Sequence, residues 1–168
     1  MRRHAVALLF VLGWLAASAA QAEQIRFPKT GTNAFLIDLP AGWTAKEDQY
    51  NGIQLLPADH RTSVYLSVVL DKQYEGKPIE ELALAIGKPS QITRFSRREP
   101  AAISGRKGAA FYAQMKNASG AVLDVKMVII PLAPALWATE TLLSSQQLSA
   151  AQAAALKQAV NGIAVTTP

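Results

Sequence analysis

Most of the chain alternates apolar and polar residues with a period of two, which is typical of strands that bury one face. The clearest case is residues 62–70, where Val64, Leu66, Val68 and Leu70 fall on one face. The same period predicts further strands, two of them separated by Pro100. These strands cover residues 34–39, 52–56, 92–98, 101–104, 107–117, 121–130 and 135–143.

One segment in the middle of the chain changes to the period of a helix. Ile79, Leu82, Ala83 and Ile86 are spaced three or four residues apart, which places them on one helix face. Gly87 follows and favours the end of a helix. The pattern therefore predicts one helix between the strand at 62–70 and the strands that follow it.

A second helix is predicted near the end of the chain. Ser149 is a favourable N-cap, and Gln152 completes a capping box in which each side chain satisfies a backbone N–H of the first turn. Ala153, Leu156 and Val160 then form the face that we expect to point inward.

The order of these elements predicts the fold class. Strands joined by short turns pair antiparallel, whereas regular alternation of strand and helix would predict a parallel sheet. We therefore expect one α+β domain, with an antiparallel sheet of about six strands covered by helices.

Residues 1–22 have the pattern of an export signal. Arg2 and Arg3 precede an apolar run, and small residues in Ala20-Gln21-Ala22 favour cleavage between Ala22 and Glu23. The run is shorter than the about 20 residues that cross a bilayer, and the chain has no Cys for a lipid anchor. We expect a soluble domain of residues 23–168 without a transmembrane segment, in the periplasm or secreted.

The order of elements and a few short motifs resemble PsbP-like proteins. A strand ends in Leu39-Pro40-Ala41-Gly42-Trp43, a helix follows at Pro78-Ile79-Glu80-Glu81-Leu82, and a long hairpin over 107–130 precedes the closing helix. The resemblance covers nearly all of residues 25–165. It implies an α-β-α sandwich and a relation to a family that includes extrinsic subunits of photosystem II and bacterial envelope proteins of the DcrB type. That family has no common catalytic residues to carry over.

Composition narrows the protein class further. The chain of 168 residues is 50% apolar and 17% charged and has no Cys, which excludes a disordered polyelectrolyte, a disulfide scaffold and a thiol nucleophile. The net charge of +5 includes the two leader arginines. Residues 23–168 therefore carry +3, and we expect no nucleic-acid partner for an exported protein of this charge.

Catalytic and metal-binding patterns are missing from residues 23–168. Their single histidine, His60, has only Asp59 as a neighbouring candidate ligand, too few for a zinc site. No Gly-x-Ser-x-Gly elbow and no phosphate loop occurs. We expect no enzyme activity, no cofactor and no metal, and His60 in a solvated loop.

Positive charge is concentrated in residues 88–107, which carry +5 and leave the rest of 23–168 at −2. Two interpretations stay open: a basic patch that meets an anionic surface or an acidic protein face, and an edge strand whose charges prevent aggregation. The candidate patch consists of Lys88, Arg94, Arg97, Arg98, Arg106 and Lys107.

These observations predict an exported, non-catalytic envelope protein that binds a protein partner in the periplasm. Two alternatives are a carrier of a small molecule or lipid and an adaptor or toxin-neutralising protein. A hydrolase that uses His60 or a cluster of carboxylates is the least supported function.

Overall fold

The computed structural model describes residues 23–29, 34–145 and 147–166. The predicted leader, residues 1–22, lies outside the described residues. Within these residues, two helices and two single 3₁₀ turns, Lys72–Tyr74 and Lys88–Ser90, accompany ten strands. The strands are β1 Glu23–Phe27, β2 Phe35–Leu39, β3 Trp43–Glu47, β4 Gly52–Pro57, β5 Thr62–Leu70, β6 Arg97–Ile103, β7 Arg106–Lys116, β8 Val122–Ala133, β9 Leu136–Ser145 and β10 Ile163–Val165, and the helices are α1 Ile79–Gly87 and α2 Ala150–Asn161.

Seven of the strands form one antiparallel sheet in the order β3-β4-β5-β9-β8-β7-β6. Short turns join most neighbours, and the central pair β5–β9 joins distant parts of the chain, with Leu66 opposite Glu140. The prediction of an antiparallel sheet is confirmed, but the main sheet has seven strands rather than about six. The missed strand is β3, whose sequence alternates only weakly after Trp43.

The other three strands form a small sheet in the order β1-β2-β10. Strand β2 lies in its centre, and Ile37 pairs with Ile25 on one side and Ile163 on the other. Strand β2 was predicted from its sequence, whereas β1 and β10 were missed, since β1 has only two apolar residues and β10 has only three residues in all.

The two larger of the three hydrophobic clusters among the described residues lie on opposite faces of the large sheet. On one face, Val64, Leu66 and Ile130 pack against the small sheet and against Leu156 of α2. On the other face, Phe111 and Met127 pack with residues of α1. We call these the small-sheet face and the α1 face, and the fold is a sheet-rich α+β arrangement with layers on both sides.

The helices follow their predicted positions closely. Helix α1 begins after its N-cap Pro78, and Glu80 and Glu81 lie in its first turn, where the helix dipole favours negative charge. Helix α2 begins after Ser149, whose side chain and that of Gln152 form the predicted capping box. Leu156 is buried as predicted, whereas Ala153 is exposed and Ala159 lies in the core instead.

The predicted strands at 92–98 and 101–104 are one strand, so their predicted bounds and the break at Pro100 are wrong. Residues 92–95 have no regular structure, and β6 runs without a break from Arg97 to Ile103 through Pro100. Strand β6 lies at the edge of the sheet, and Pro100 lies opposite Ala109 of β7. The backbone groups of Ala109 point to β8, so the position where Pro100 lacks an N–H faces outward from the sheet. The sheet therefore loses no hydrogen bond at this proline.

Candidate functional site

The six basic residues of the candidate patch lie at different places around the edge of the large sheet. Lys88 follows α1 in a 3₁₀ turn, and Arg94 lies in the irregular segment before β6. Arg97 and Arg98 begin β6 and point to opposite faces of the sheet. Arg106 and Lys107 begin β7, opposite the last two residues of β6 and about 20 Å from Arg97 along the strand. The structure therefore brings Arg94 and Arg97 together and separates the others from them.

Arg97 is held on the small-sheet face by two neighbours. Its Nε lies 3.1 Å from Glu99 Oε1, and its guanidinium carbon lies 4.0 Å from the centroid of the Tyr112 ring. The Tyr112 hydroxyl donates a hydrogen bond of 3.0 Å to Glu99 Oε2. Burial and this hydrogen bond raise the pKa of Tyr112, so it stays a neutral donor. Arg98, on the α1 face, instead forms a 2.8 Å ion pair with Glu80 of α1.

A groove of about 910 Å³ lies beside Arg94 and Arg97. It follows the edge of the sheet where β7 and β8 extend beyond the start of β6, and segment 91–96 forms its other wall. The lining is mostly polar and consists of Gln91, Ile92, Thr93, Arg94, Ser96, Arg97, Tyr112, Ala113, Gln114, Asp124 and Val125.

Strand β7 presents an unpaired edge to this groove. The N–H of Asn117 donates a hydrogen bond to the C=O of Ala121, on the β8 side. Backbone groups alternate in direction along a strand, and Gln114 lies an odd number of residues from Asn117. The N–H and C=O of Gln114 therefore point away from β8. The ladder between β6 and β7 ends at Tyr112. Within residues 34–145, which the structure describes, no backbone hydrogen bond joins Gln114 to segment 91–96. The groove thus offers a donor and an acceptor to an extended chain.

A second cavity, of about 440 Å³, lies on the small-sheet face. Its floor is formed by β7, β8 and β9, and its walls are β6 and the end of α2. Exposed residues, among them Ala102, Ser104 and Asn161, border the cavity and connect it with solvent.

Glu140 is the exceptional residue of this second cavity. Its side chain lies in the centre of the sheet, 2% exposed, between Leu66 and Val128 of the neighbouring strands. Its Oε2 is buried and has no hydrogen-bond partner among the described residues. Burial raises the pKa of Glu140 to about 7, against a smaller opposing effect of the charge on Lys126. A carboxyl group with this pKa exchanges its proton near neutral pH.

The sequence analysis did not single out Glu140. A signal for it exists, because Ala138, Glu140 and Leu142 occupy alternate positions of a predicted strand whose other members on that face are apolar. A carboxylate at a core position needs a partner or a function.

Other candidates from the sequence lie outside both sites. His60 is exposed in the turn between β4 and β5, as predicted, with a positive φ of 53°. The described part of the chain contains no group of three or more His, Cys, Asp or Glu side chains arranged to hold a metal ion. No helix in the same residues is long and apolar enough to cross a membrane.

Comparisons with known proteins identify the class of fold. No family profile matches the sequence, and no curated protein is similar to it at a significant level. Solved structures do match, and the three described below are 8 to 13% identical to this chain, so their similarity concerns the fold. The fold is PsbP-like, because a cyanobacterial PsbP protein is among the structures that match.

Cyanobacterial PsbP (CyanoP) from Synechocystis superposes with a TM-score of 0.59 at 8% identity, over 92% of this chain and 99% of that one. LpqN of Mycobacterium tuberculosis, described as involved in cell envelope biogenesis, superposes at 0.50 and 13% identity, over 88% of this chain and 91% of that one. A crystal structure from Bacteroides thetaiotaomicron superposes at 0.56 and 12% identity, over 88% of this chain. This chain spans about half of that protein, 49% of its length.

Proposed function

We propose that the chain is an exported, non-catalytic envelope protein that binds an extended acidic segment of a partner protein along the open edge of β7. The leader pattern of residues 1–22 supports export to the periplasm, with cleavage after Ala22. The envelope role of LpqN, a protein of the same fold, agrees with that compartment. Within the PsbP-like proteins, we propose a relation to the bacterial envelope members of the DcrB type.

The single observation that carries this proposal is the unpaired backbone of Gln114 at the groove. Extended peptides add to an exposed strand edge through main-chain hydrogen bonds, and neighbouring side chains select the sequence. The groove is long enough for several residues, since segment 91–96 and the end of β7 border it together.

The charges that line the groove favour an acidic partner segment. The charged residues that line the groove are Arg94, Arg97 and Asp124, which leaves an excess of one positive charge. Asp124 already accepts a hydrogen bond from Gln114 Nε2 at 3.0 Å, and Arg97 is paired with Glu99. Arg94 is exposed and forms no ion pair among the described residues, so it is the cation that remains for an acidic side chain.

Site-specific crosslinking followed by binding measurements tests the proposal. A photo-crosslinking residue at Thr93, in the groove, should capture an envelope protein that the same residue at Gln54, on β4, does not capture. The captured segment, synthesised as a peptide, should bind the protein and protect the Gln114 amide from hydrogen exchange.

Charge reversal at Arg94 then provides the decisive comparison. Arg94→Glu should weaken binding of the acidic peptide by about tenfold, whereas the matched control Arg106→Glu, at the other end of β6, should leave it unchanged. Capture from both crosslinking positions alike, or equal affinities of the two variants, would reject the groove as the binding site.

A further inference from the structure

We propose that the cavity at Glu140 binds a small zwitterion, an amino acid or a compound with the same head group. Its ammonium group meets Glu140 and its carboxylate meets Lys126. This site is separate from the groove at Gln114 and does not depend on the proposed peptide.

Two carboxylates on the small-sheet face differ in the partners that the fold gives them. Glu99 and Glu140 lie on the same row of the ladder, separated by Ala110 and Val128. Glu99 has the Tyr112 hydroxyl and Arg97 as partners. Glu140 Oε2 has no partner among the described residues, although it is the more buried of the two. Burial of a carboxylate costs free energy unless the group is paired. The fold nevertheless keeps Glu140 as a hydrogen-bond acceptor and supplies no partner for its Oε2.

A small ligand can reach the carboxyl group of Glu140 through the cavity. Glu140 lines a cavity of about 440 Å³, within the range typical of small-molecule sites. Although Oε2 is covered, rotation about the terminal bond of the side chain exchanges the two oxygens at little cost. An ammonium group in the cavity supplies the donors and the positive charge that an ionised Glu140 needs.

Lys126 supplies the opposite charge in the same cavity. It is half-buried on β8, opposite Leu142, which places it one row along the sheet from Glu140. Its charge acts on Glu140 across the cavity, but no ion pair forms between them among the described residues. A ligand with a single charge would leave either the carboxylate or the ammonium group unmatched, whereas a zwitterion matches both.

The rest of the lining selects the ligand by size and polarity. Val128, Val160 and Ile163 form an apolar wall, and Asn161 adds one amide at the exposed border. This wall favours an aliphatic side chain, such as those of alanine, valine or leucine, over a charged one.

Isothermal titration calorimetry of the exported protein tests the proposal with five probes: glycine, alanine, valine, ethylamine and acetate. We expect valine or alanine to bind about tenfold more tightly than ethylamine, which has only the ammonium group, or acetate, which has only the carboxylate. Equal binding of acetate would indicate an anion site at Lys126 alone, and equal binding of ethylamine a cation site. Each of these results, or no binding of any amino acid, overturns the proposal.

Variants then assign the contacts. Glu140→Gln, which keeps the shape of the side chain, and Lys126→Met should each weaken amino-acid binding by about tenfold, whereas the control Lys107→Met, outside the cavity, should not. If Glu140→Gln does not fold, Lys126→Met still decides. Unchanged affinity in Lys126→Met overturns the proposal.

A proton count provides an independent readout. Because the ligand's ammonium group favours the ionised carboxyl, binding at about pH 6 should release a proton. The measured heat should then differ between buffers of different ionisation enthalpy, and this difference should vanish in Glu140→Gln. Binding without proton release at this pH would contradict contact with Glu140.

Discussion

Glu99 and Glu140 illustrate how strongly position decides the properties of a residue in this protein. Both are glutamates on the small-sheet face, yet Glu99 lies at the sheet edge with two partners and Glu140 lies at the centre with an unsatisfied oxygen. Their place in the ladder, which depends on strand order, produces the difference.

Glu140 makes the stability of the fold depend on pH. Its pKa is raised from 4.5 to about 7 in the folded protein, so ionisation is easier in the unfolded chain. Below about pH 4.5 this group contributes fully to the free energy of unfolding. That contribution, roughly 3 kcal/mol in total, is lost as the pH rises through about 7. Lys126, Glu99 and Tyr112 are the other titratable groups that line the cavity.

We expect Glu140→Gln to remove this pH dependence, because glutamine carries no charge at any pH. In urea unfolding of the ligand-free proteins, the free energy of unfolding of the variant minus that of the wild type should rise by about 2 kcal/mol between pH 5 and pH 8. The exposed control Glu81→Gln should follow the wild type. Parallel pH profiles of Glu140→Gln and the wild type would contradict the burial argument.

At the scale of elements, β7 contributes both to the core of the sheet and to the candidate groove. Residues 109–112 of β7 are paired on both sides, and its last residues are paired only with β8. The alternation of apolar residues Ala109, Phe111, Ala113 and Met115 predicted this strand and its buried face correctly. The sequence did not predict its open edge, because that depends on where β6 begins.

A pair of proline substitutions tests the direction of the backbone groups in β7. Gln114→Pro removes an N–H that points to the groove, so the loss of stability should be about 1 kcal/mol or less. Ala113→Pro removes an N–H that bonds to β8 and should cost about 3 kcal/mol or more. Urea unfolding measures both, and similar losses in the two variants would show that Gln114 is paired within the sheet.

At the scale of the whole molecule, the first and last strands of the described residues, β1 and β10, lie in the same small sheet. Strand β10, at residues 163–165, pairs with β2 near the start of the domain, and Ile163 and Val165 enter the same core as Phe35. Leu156 and Ala159 of α2 lie in that core as well. The small sheet therefore packs the first and last described strands against one face of the large sheet.

Ile163→Ala should destabilise the whole domain although β10 has only three residues. Ile163 is 4% exposed, and removal of a buried aliphatic side chain of this size costs about 2 to 5 kcal/mol. Val122→Ala, at a position 37% exposed, is the matched control and should cost less than about 1 kcal/mol. Thermal or urea unfolding decides, and a loss no larger than that of the control would mean that β10 does not contribute to the core.

Local rules of the sequence determined much of this protein. The capping box at Ser149 and Gln152, the helix between Ile79 and Gly87 and the strand at 62–70 depend on nearby residues and are correct within one or two positions. The leader pattern and the lack of cysteine are likewise properties of the sequence alone.

Only the tertiary structure decided which strands are neighbours, and both candidate sites depend on that. Pro100 is compatible with a strand because β6 lies at an edge, Gln114 faces a groove because β6 begins late, and Glu140 is buried because β9 is central. These properties come from contacts between residues far apart in the chain, whereas the two-residue period reports only which side chains share a face.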